Sequence, residues 1–180
     1  MRRQLRGREV TEMGTQFDRL DGGLARATFA AGCFWGVEAA FRRLDGVVMT
    51  SVGYCGGNLA NPSYEAVCTG TTGHAEAVQV TFDPERVSYE ELLSLFWVCH
   101  DPTQLNRQGP DVGSQYRTAI FCHDGGQLAA AEASKQALVD SGQAGGSVVS
   151  EIEMLSDYYL AEDYHQQYLE KRGMAVSNLP

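Results

Sequence analysis

Apolar positions along this chain recur at two periods that take turns. Ala27-Thr28-Phe29-Ala30-Ala31 is an apolar run of strand length, and behind it Phe34, Val37, Phe41 and Leu44 recur at the spacing of one helix face. Arg42 and Arg43 fall in the last turn of that helix, and Gly46 ends it. Val47 to Val52 predicts a second strand, terminated by Gly53-Tyr54-Cys55-Gly56-Gly57. After a loop from Asn58 to Pro62, Pro62 opens a short helix through Val67. His74 to Phe82 alternates as a strand and stops at Asp83-Pro84. Ser88-Tyr89-Glu90-Glu91 has capping-box spacing ahead of a helix through Val98. Asp101 to Gly113, with Pro102, Gly109 and Pro110, reads as a long polar loop of the kind that carries function. A strand over Gln115–Cys122, an Ala-rich helix over Gln127–Asp140, a strand over Val148–Met154 and a helix over Tyr158–Arg172 complete the pattern. Strands interleaved with helices, some joined without a helix between them, predict an α+β fold. The expectation is a two-layer α/β sandwich, a mixed sheet with helices packed on it in ferredoxin-like topology.

Composition narrows the classes. The chain has 180 residues, 43% hydrophobic and 21% charged, which suits one domain with its own core, placed at residues 27–180 behind a loosely docked N-terminal arm at residues 1–26. A net charge of −9 argues against nucleic acid as a partner, and no apolar run reaches membrane-spanning length. Met1 to Arg8 is basic but lacks an apolar signal core, and Glu9, Glu12 and Asp18 follow too closely for a transit peptide. Five cysteines, an odd number without any C-x-x-C, are no disulfide framework and point to a reducing, cytoplasmic compartment. A monomer is expected.

The candidate chemistry begins at Gly32-Cys33-Phe34-Trp35-Gly36, at a strand-to-helix junction. Cys33 falls at the helix N-terminus, where unpaired N–H groups and the helix dipole favour a thiolate, so its pKa is expected to fall. The flanking glycines admit a close approach, and Phe34 and Trp35 set an aromatic wall beside the sulfur. On the strand His74–Phe82, Glu76 shares its face with Val78, Val80 and Phe82. A carboxyl on an apolar face is costly to ionise, so Glu76 is either a raised-pKa acid or the partner of an arginine such as Arg117. His74 invites a Cys–His reading only if it reaches Cys33. Cys99-His100 and Cys122-His123 lack zinc-ligand spacing. Tyr54, Tyr64 and Tyr116 lie at strand ends or in Gly- and Pro-rich loops, where a phenol can donate into a cleft, and Asp111 reads as a turn residue.

Gly32-Cys33-Phe34-Trp35-Gly36 resembles the signature of the A-type peptide methionine sulfoxide reductases. The likeness extends through Gly53-Tyr54 with Gly56-Gly57, Asn61-Pro62 with Tyr64, Gly70 with Thr72-Gly73-His74-Ala75-Glu76, and His100-Asp101-Pro102. Arg107-Gln108-Gly109, Asp111 with Gly113, Gln115-Tyr116-Arg117 and Glu162-Asp163 with His165-Gln166 carry it further. The resemblance implies a two-layer α/β sandwich that repairs oxidised proteins by reducing the S epimer of methionine sulfoxide, free or in proteins, with no metal or organic cofactor. It implies Cys33 as the nucleophile on sulfur and Glu76 as proton donor to the sulfoxide oxygen, with Tyr64 and Tyr116 bonding that oxygen. Asp111 then helps shape the site, Phe34 and Trp35 hold the S-methyl group, and thioredoxin or another thiol reductant supplies electrons. A sulfoxide oxygen leaves only once protonated, so thiol and acid need pKa values pushed apart.

Family members commonly carry a resolving cysteine near the C-terminus. Here no cysteine follows Cys122, and Ser177 stands about where one would be. Resolution then falls to an external thiol or to Cys55, Cys68, Cys99 or Cys122. Cys55, in a glycine-rich segment expected to be mobile, is the lead internal candidate, while Cys68 and Cys99 are expected to be buried on helices. The competing classes are a thiol peroxidase or redox sensor using Cys33, and a Cys-dependent amidase using His74.

Overall fold

The computed structural model describes residue 20 and residues 22–174, so Ser177 and most of the N-terminal arm lie outside the described residues. Strand β1 (Ala25–Ala31) starts two residues before the apolar run and leads into helix α1 (Phe34–Arg42). Strand β2 (Val47–Cys55) and helix α2 (Tyr64–Cys68) come next, then strand β3 (Ala75–Phe82) and helix α3 (Tyr89–Val98). A small hairpin of β4 (Arg107–Gln108) and β5 (Asp111–Val112) precedes strand β6 (Thr118–Cys122), helix α4 (Gly125–Ser141) and strand β7 (Glu151–Met154). Strand β8 (Tyr158–Leu160) and the short helix α5 (Tyr168–Lys171) end the described chain.

The main sheet has the order β7-β6-β1-β3-β2-β8. Its centre, β6-β1-β3-β2, is antiparallel throughout, with α1 joining β1 to β2 and α3 lying between β3 and β6. That is the split βαβ arrangement the pattern predicts. β7 adds in parallel to β6, and β8 adds antiparallel to β2. One face of the sheet and α1, α3 and α4 enclose the main core. There Phe29 stacks on Phe41 at 4.9 Å between ring centroids and on Phe96 at 5.4 Å. Such offset pairs add about 0.5–1.5 kcal/mol beyond the area they bury. The capping box of α3 forms as read: Ser88 Oγ accepts the Glu91 N–H at 3.1 Å and Glu91 Oε2 accepts the Ser88 N–H at 2.7 Å.

Four expectations fail for identifiable reasons. Gly53-Tyr54-Cys55 does not end β2; these residues pair with Ala77, Glu76 and Ala75 on one side and with β8 on the other. Residues 158–172 are not one helix, because Tyr158–Leu160 adds to the β2 edge and the Gln166 side chain bonds the backbone of Val52 in both directions. Pairing with the sheet overrides local helix propensity here. The polar loop 101–113 is ordered into the β4–β5 hairpin, which Gln108 ties down by exchanging two hydrogen bonds with the backbone of Asp101. Residues 114–116 form a 3-10 turn, and β6 begins only at Thr118.

Candidate active site

Cys33 is the N-cap residue of α1, and its own side chain makes no capping bond. The thiol is half-buried, and the backbone N–H groups of Trp35 and Gly36 favour its charged form, as its place at a helix start predicts. Gly32, at φ 98°, makes the turn from β1, and a Cβ there would lie 2.8 Å from Gln108, so the hairpin closes tightly over the junction. A Cβ on Gly36 would meet nothing within 4 Å, so the first turn of α1 borders open space at that position.

The pKa expectation for this thiol is reversed. Burial pushes Cys33 up to about 12, the two backbone N–H groups oppose it, and the Glu76 and Asp111 charges raise it further. The helix terminus acts in the expected direction and loses to desolvation. At rest Cys33 is a thiol.

Glu76 is 1% exposed on β3, and its Oε2 accepts the Phe34 N–H, the first amide of α1, at 3.1 Å. One bond therefore sets the carboxyl beside the residue next to Cys33. Burial raises Glu76 to about 8; the Phe34 N–H opposes this and Asp111 adds to it. Arg117, the alternative partner, pairs with Glu151 at 3.2 Å. Glu76 is thus a carboxyl of raised pKa, and the arginine weighed as its partner is paired with Glu151 instead.

Asp111 on β5, Tyr116 at the 3-10 turn and Tyr64 at the start of α2 gather around these two groups. After burial, the Glu76 and Asp111 charges raise the Tyr116 phenol to about 12, and Cys68 and Cys33 add to the rise. Burial also raises the Tyr64 phenol, followed by a hydrogen bond to the Cys68 thiol and by the Glu76 charge. Ser63 caps α2, and Glu162 Oε2 accepts the Tyr64 N–H at 3.1 Å. Tyr54 does not face the cleft: it is fully buried in β2 and donates to Glu162 Oε1 at 3.0 Å.

Phe34 and Trp35 divide the aromatic wall. Phe34 is buried against His165, 5.1 Å between centroids. Trp35 is half-buried, stacks on Tyr168 at 3.7 Å and donates its Nε1–H to His165 Nδ1 at 2.9 Å. His165, Tyr168 and Glu162 carried no role in the sequence reading because a helix was expected there; the Glu162-Asp163 and His165-Gln166 motif was their only signal.

His74 does not serve Cys33. Its Nδ1 accepts the Gly57 N–H at 3.1 Å and its Nε2–H donates to the Leu59 carbonyl at 2.7 Å. His100 bonds the Phe96 carbonyl and Thr118 Oγ1, and burial holds it down at about 4. No group of three or more His, Cys, Asp or Glu among the described residues is arranged to hold a metal ion. Nor is any helix among them long and apolar enough to cross a membrane.

Three of the other cysteines also depart from expectation. Cys55 is fully buried between β3 and β8, not in a mobile loop. Cys68 is exposed at the end of α2, and Cys99 is half-buried. Cys122 is buried in β6.

Comparison with known proteins agrees with this arrangement. The family model described as peptide methionine sulfoxide reductase matches residues 25–179. The chain is 62% identical to the peptide methionine sulfoxide reductase MsrA of Methanothermobacter thermautotrophicus, over 81% of this chain and 86% of that protein. It is 60% identical to the protein of the same name from Methanosarcina mazei, over 87% of this chain and 74% of that one. Among solved structures it is similar to Mxr1 from Saccharomyces cerevisiae in reduced form, with a TM-score of 0.82 and 34% identity, covering 91% of this chain and 93% of that chain. The chain belongs to the peptide methionine sulfoxide reductase family.

Proposed function

We propose that Cys33 and Glu76 carry the family's reaction in this chain, the thiol-dependent reduction of the S epimer of methionine sulfoxide to methionine. The observation that supports this most directly is the Phe34 N–H bond to Glu76, which ties a carboxyl of raised pKa to the start of the helix that presents Cys33. Glu76, protonated below pH of about 8, gives its proton to the sulfoxide oxygen as the Cys33 sulfur attacks the substrate sulfur. The step balances without an outside proton. The attack forms a bond between the two sulfurs; that bond and the S–O bond of the substrate then break, methionine leaves, oxygen ends on Cys33 as a sulfenic acid, and two electrons pass from the Cys33 sulfur to the substrate sulfur. The thiol proton of Cys33 replaces the one Glu76 delivers. Tyr64 and Tyr116 bond the same oxygen, Asp111 helps keep Glu76 protonated, and Phe34 and Trp35 receive the S-methyl group.

An external thiol, with thioredoxin as the physiological one, reduces the sulfenic acid, and the setting is a reducing, cytoplasmic compartment. The burial of Cys55 in the sheet argues against it as the resolving thiol, since a disulfide needs a sulfur free to approach. A redox sensor or peroxidase requires a low-pKa, accessible thiolate, the opposite of a half-buried thiol pushed up to about 12. An amidase requires a histidine on Cys33, whereas both nitrogens of His74 are engaged elsewhere. The test is reduction of dabsylated methionine sulfoxide with dithiothreitol by the parent and by Glu76→Gln. Equal turnover by the two removes Glu76 as the acid.

A further inference from the structure

The segment from His165 to Tyr168 grips Trp35 from two sides, and a buried carboxylate holds that grip. Glu38 lies one turn after Trp35 on α1, is 2% exposed, and spends both oxygens on acceptor duty. Oε2 accepts the Gln167 N–H at 2.9 Å, and Oε1 accepts the Gln167 Nε2–H and the Thr50 hydroxyl, each at 2.8 Å. Gln167 sits at φ 47°, ψ 44°, a left-handed conformation that a side chain adopts only when its surroundings impose it. On its two sides the chain delivers His165, whose Nδ1 receives the indole N–H, and Tyr168, whose ring lies 5° from parallel to the indole. Packing alone does not fix the indole, because Trp35 also borders a cavity of about 250 Å³ shared with Glu38, Arg42 and Tyr168.

We infer that Glu38 is a positioning residue for substrate selection. By holding Gln167 in its left-handed turn it sets His165 and Tyr168 around Trp35, and so fixes the wall that admits an S-methyl group and rejects a larger one. The inference rests on the proposed role of Trp35 as part of the methyl pocket. Glu38 touches no reacting atom and acts entirely through Gln167.

The substitution that removes the grip is Glu38→Leu, which leaves the Gln167 N–H without its acceptor. Glu38→Gln is the conservative control, since one oxygen still accepts the Gln167 N–H while the Thr50 hydroxyl and the Gln167 amide can turn to accept from the new amide. A third variant, Gln167→Val, attacks the same turn at a half-buried position, because a β-branched residue resists positive φ, and it serves if Glu38→Leu fails to fold. Two readouts are made on the full chain with dithiothreitol as reductant. The first is kcat/KM for methionine sulfoxide against ethionine sulfoxide, which carries one more methylene on sulfur. The second is the indole N–H resonance of Trp35 and its exchange with solvent, assigned with Trp97→Phe. One methylene in an apolar pocket is worth roughly 10–200-fold. Glu38→Leu or Gln167→Val is expected to erase most of the methyl-over-ethyl preference, to raise KM more than it lowers kcat, and to speed indole exchange, while Glu38→Gln stays near the parent. A Trp35 resonance and exchange rate unchanged in folded Glu38→Leu or Gln167→Val overturns the inference. If the indole is released but the preference for methyl persists, Trp35 is not the methyl wall, and the inference about selection falls with that reading.

Discussion

Glu76→Gln should make the protein more stable, by an amount that grows with pH. In the unfolded chain this carboxyl titrates near 4.5, and in the folded protein burial holds it up at about 8. Between those values the folded state binds the proton more tightly than the unfolded state. A group raised in this way lends its full stability below the unfolded pKa and loses it as pH rises through the folded one. At about 1.4 kcal/mol per unit, the parent therefore gives up about 3 kcal/mol at pH 7 and about 5 kcal/mol above pH 8, relative to strongly acid solution. The side chain is 1% exposed, so solvent screening takes little from these figures, which are upper bounds because the unfolded chain is not fully extended. Gln keeps an oxygen for the Phe34 N–H and has no charge to desolvate. The measurement is urea unfolding of both proteins from pH 5 to pH 9 with Cys33 kept reduced, comparing free energies at each pH. Groups common to both cancel, and the Cys33 thiol titrates above the window. The difference should widen by several kcal/mol in favour of Gln. Parallel curves, or a Gln variant that loses ground above pH 7, would falsify the raised acid and with it the proton source at the site.

Cys33→Ser should abolish sulfoxide reduction with any reductant; activity above a few per cent of the parent in the dabsyl assay would move the nucleophile elsewhere. The chemical step, followed as single-turnover sulfenic acid formation trapped with dimedone, should fall as pH rises through about 8, where Glu76 loses its proton. Glu76→Gln should be slower by on the order of 10²–10⁴-fold and flat over that range. On brief alkylation of the native protein, exposed Cys68 should label first and buried Cys55 and Cys122 last, read by peptide mapping, so rapid labelling of Cys55 would contradict its place in the sheet. After one equivalent of methionine sulfoxide without reductant, the same mapping should find a dimedone adduct on Cys33 and a free Cys55; a Cys33–Cys55 disulfide would require the centre of the sheet to open.

The sequence carried the frame of the fold because its strongest periodic segments are also the elements buried at its centre. The apolar helix face Phe34, Val37, Phe41 and the strand face Glu76, Val78, Val80, Phe82 face one shared core. The approach of the two site groups was therefore half legible: each was placed on its element, and the Phe34 N–H bond that joins them was not. The C-terminal part was misread for a physical reason. Tyr158 to Leu160 gains its structure only from pairing with the β2 edge, and the left-handed Gln167 is held by Glu38, 129 residues away along the chain. Cys55 misled in the same way, since Gly53 looks like a loop residue until β8 is seen beside it. At Gly53 the reason is steric: a Cβ there would lie 2.5 Å from the Tyr159 carbonyl oxygen, so the glycine marks close strand approach rather than mobility.

The reversed pKa of Cys33 matters more than these, because the same burial acts on both reacting groups. It raises the acid, which the reaction needs, and it raises the thiol, which a simple nucleophile would not want. A thiol and a protonated carboxyl side by side are nonetheless the resting pair that the stoichiometry asks for. The sulfoxide oxygen takes a proton from Glu76, and the attacking sulfur must lose one. With Cys33 at about 12 and Glu76 at about 8, both groups hold their protons at neutral pH. Below about pH 8, on the proposed reading, the carboxylate forms as a sulfoxide accepts the acid proton. On that reading attack is coupled to proton transfer to the bound sulfoxide, and a hydrophobic setting that suppresses the free thiolate also protects it from adventitious oxidation. The helix N-terminus is then best understood as favouring the negative charge on sulfur as it develops, through the Trp35 and Gly36 N–H groups that oppose the rise in its pKa, rather than as a device for storing a thiolate.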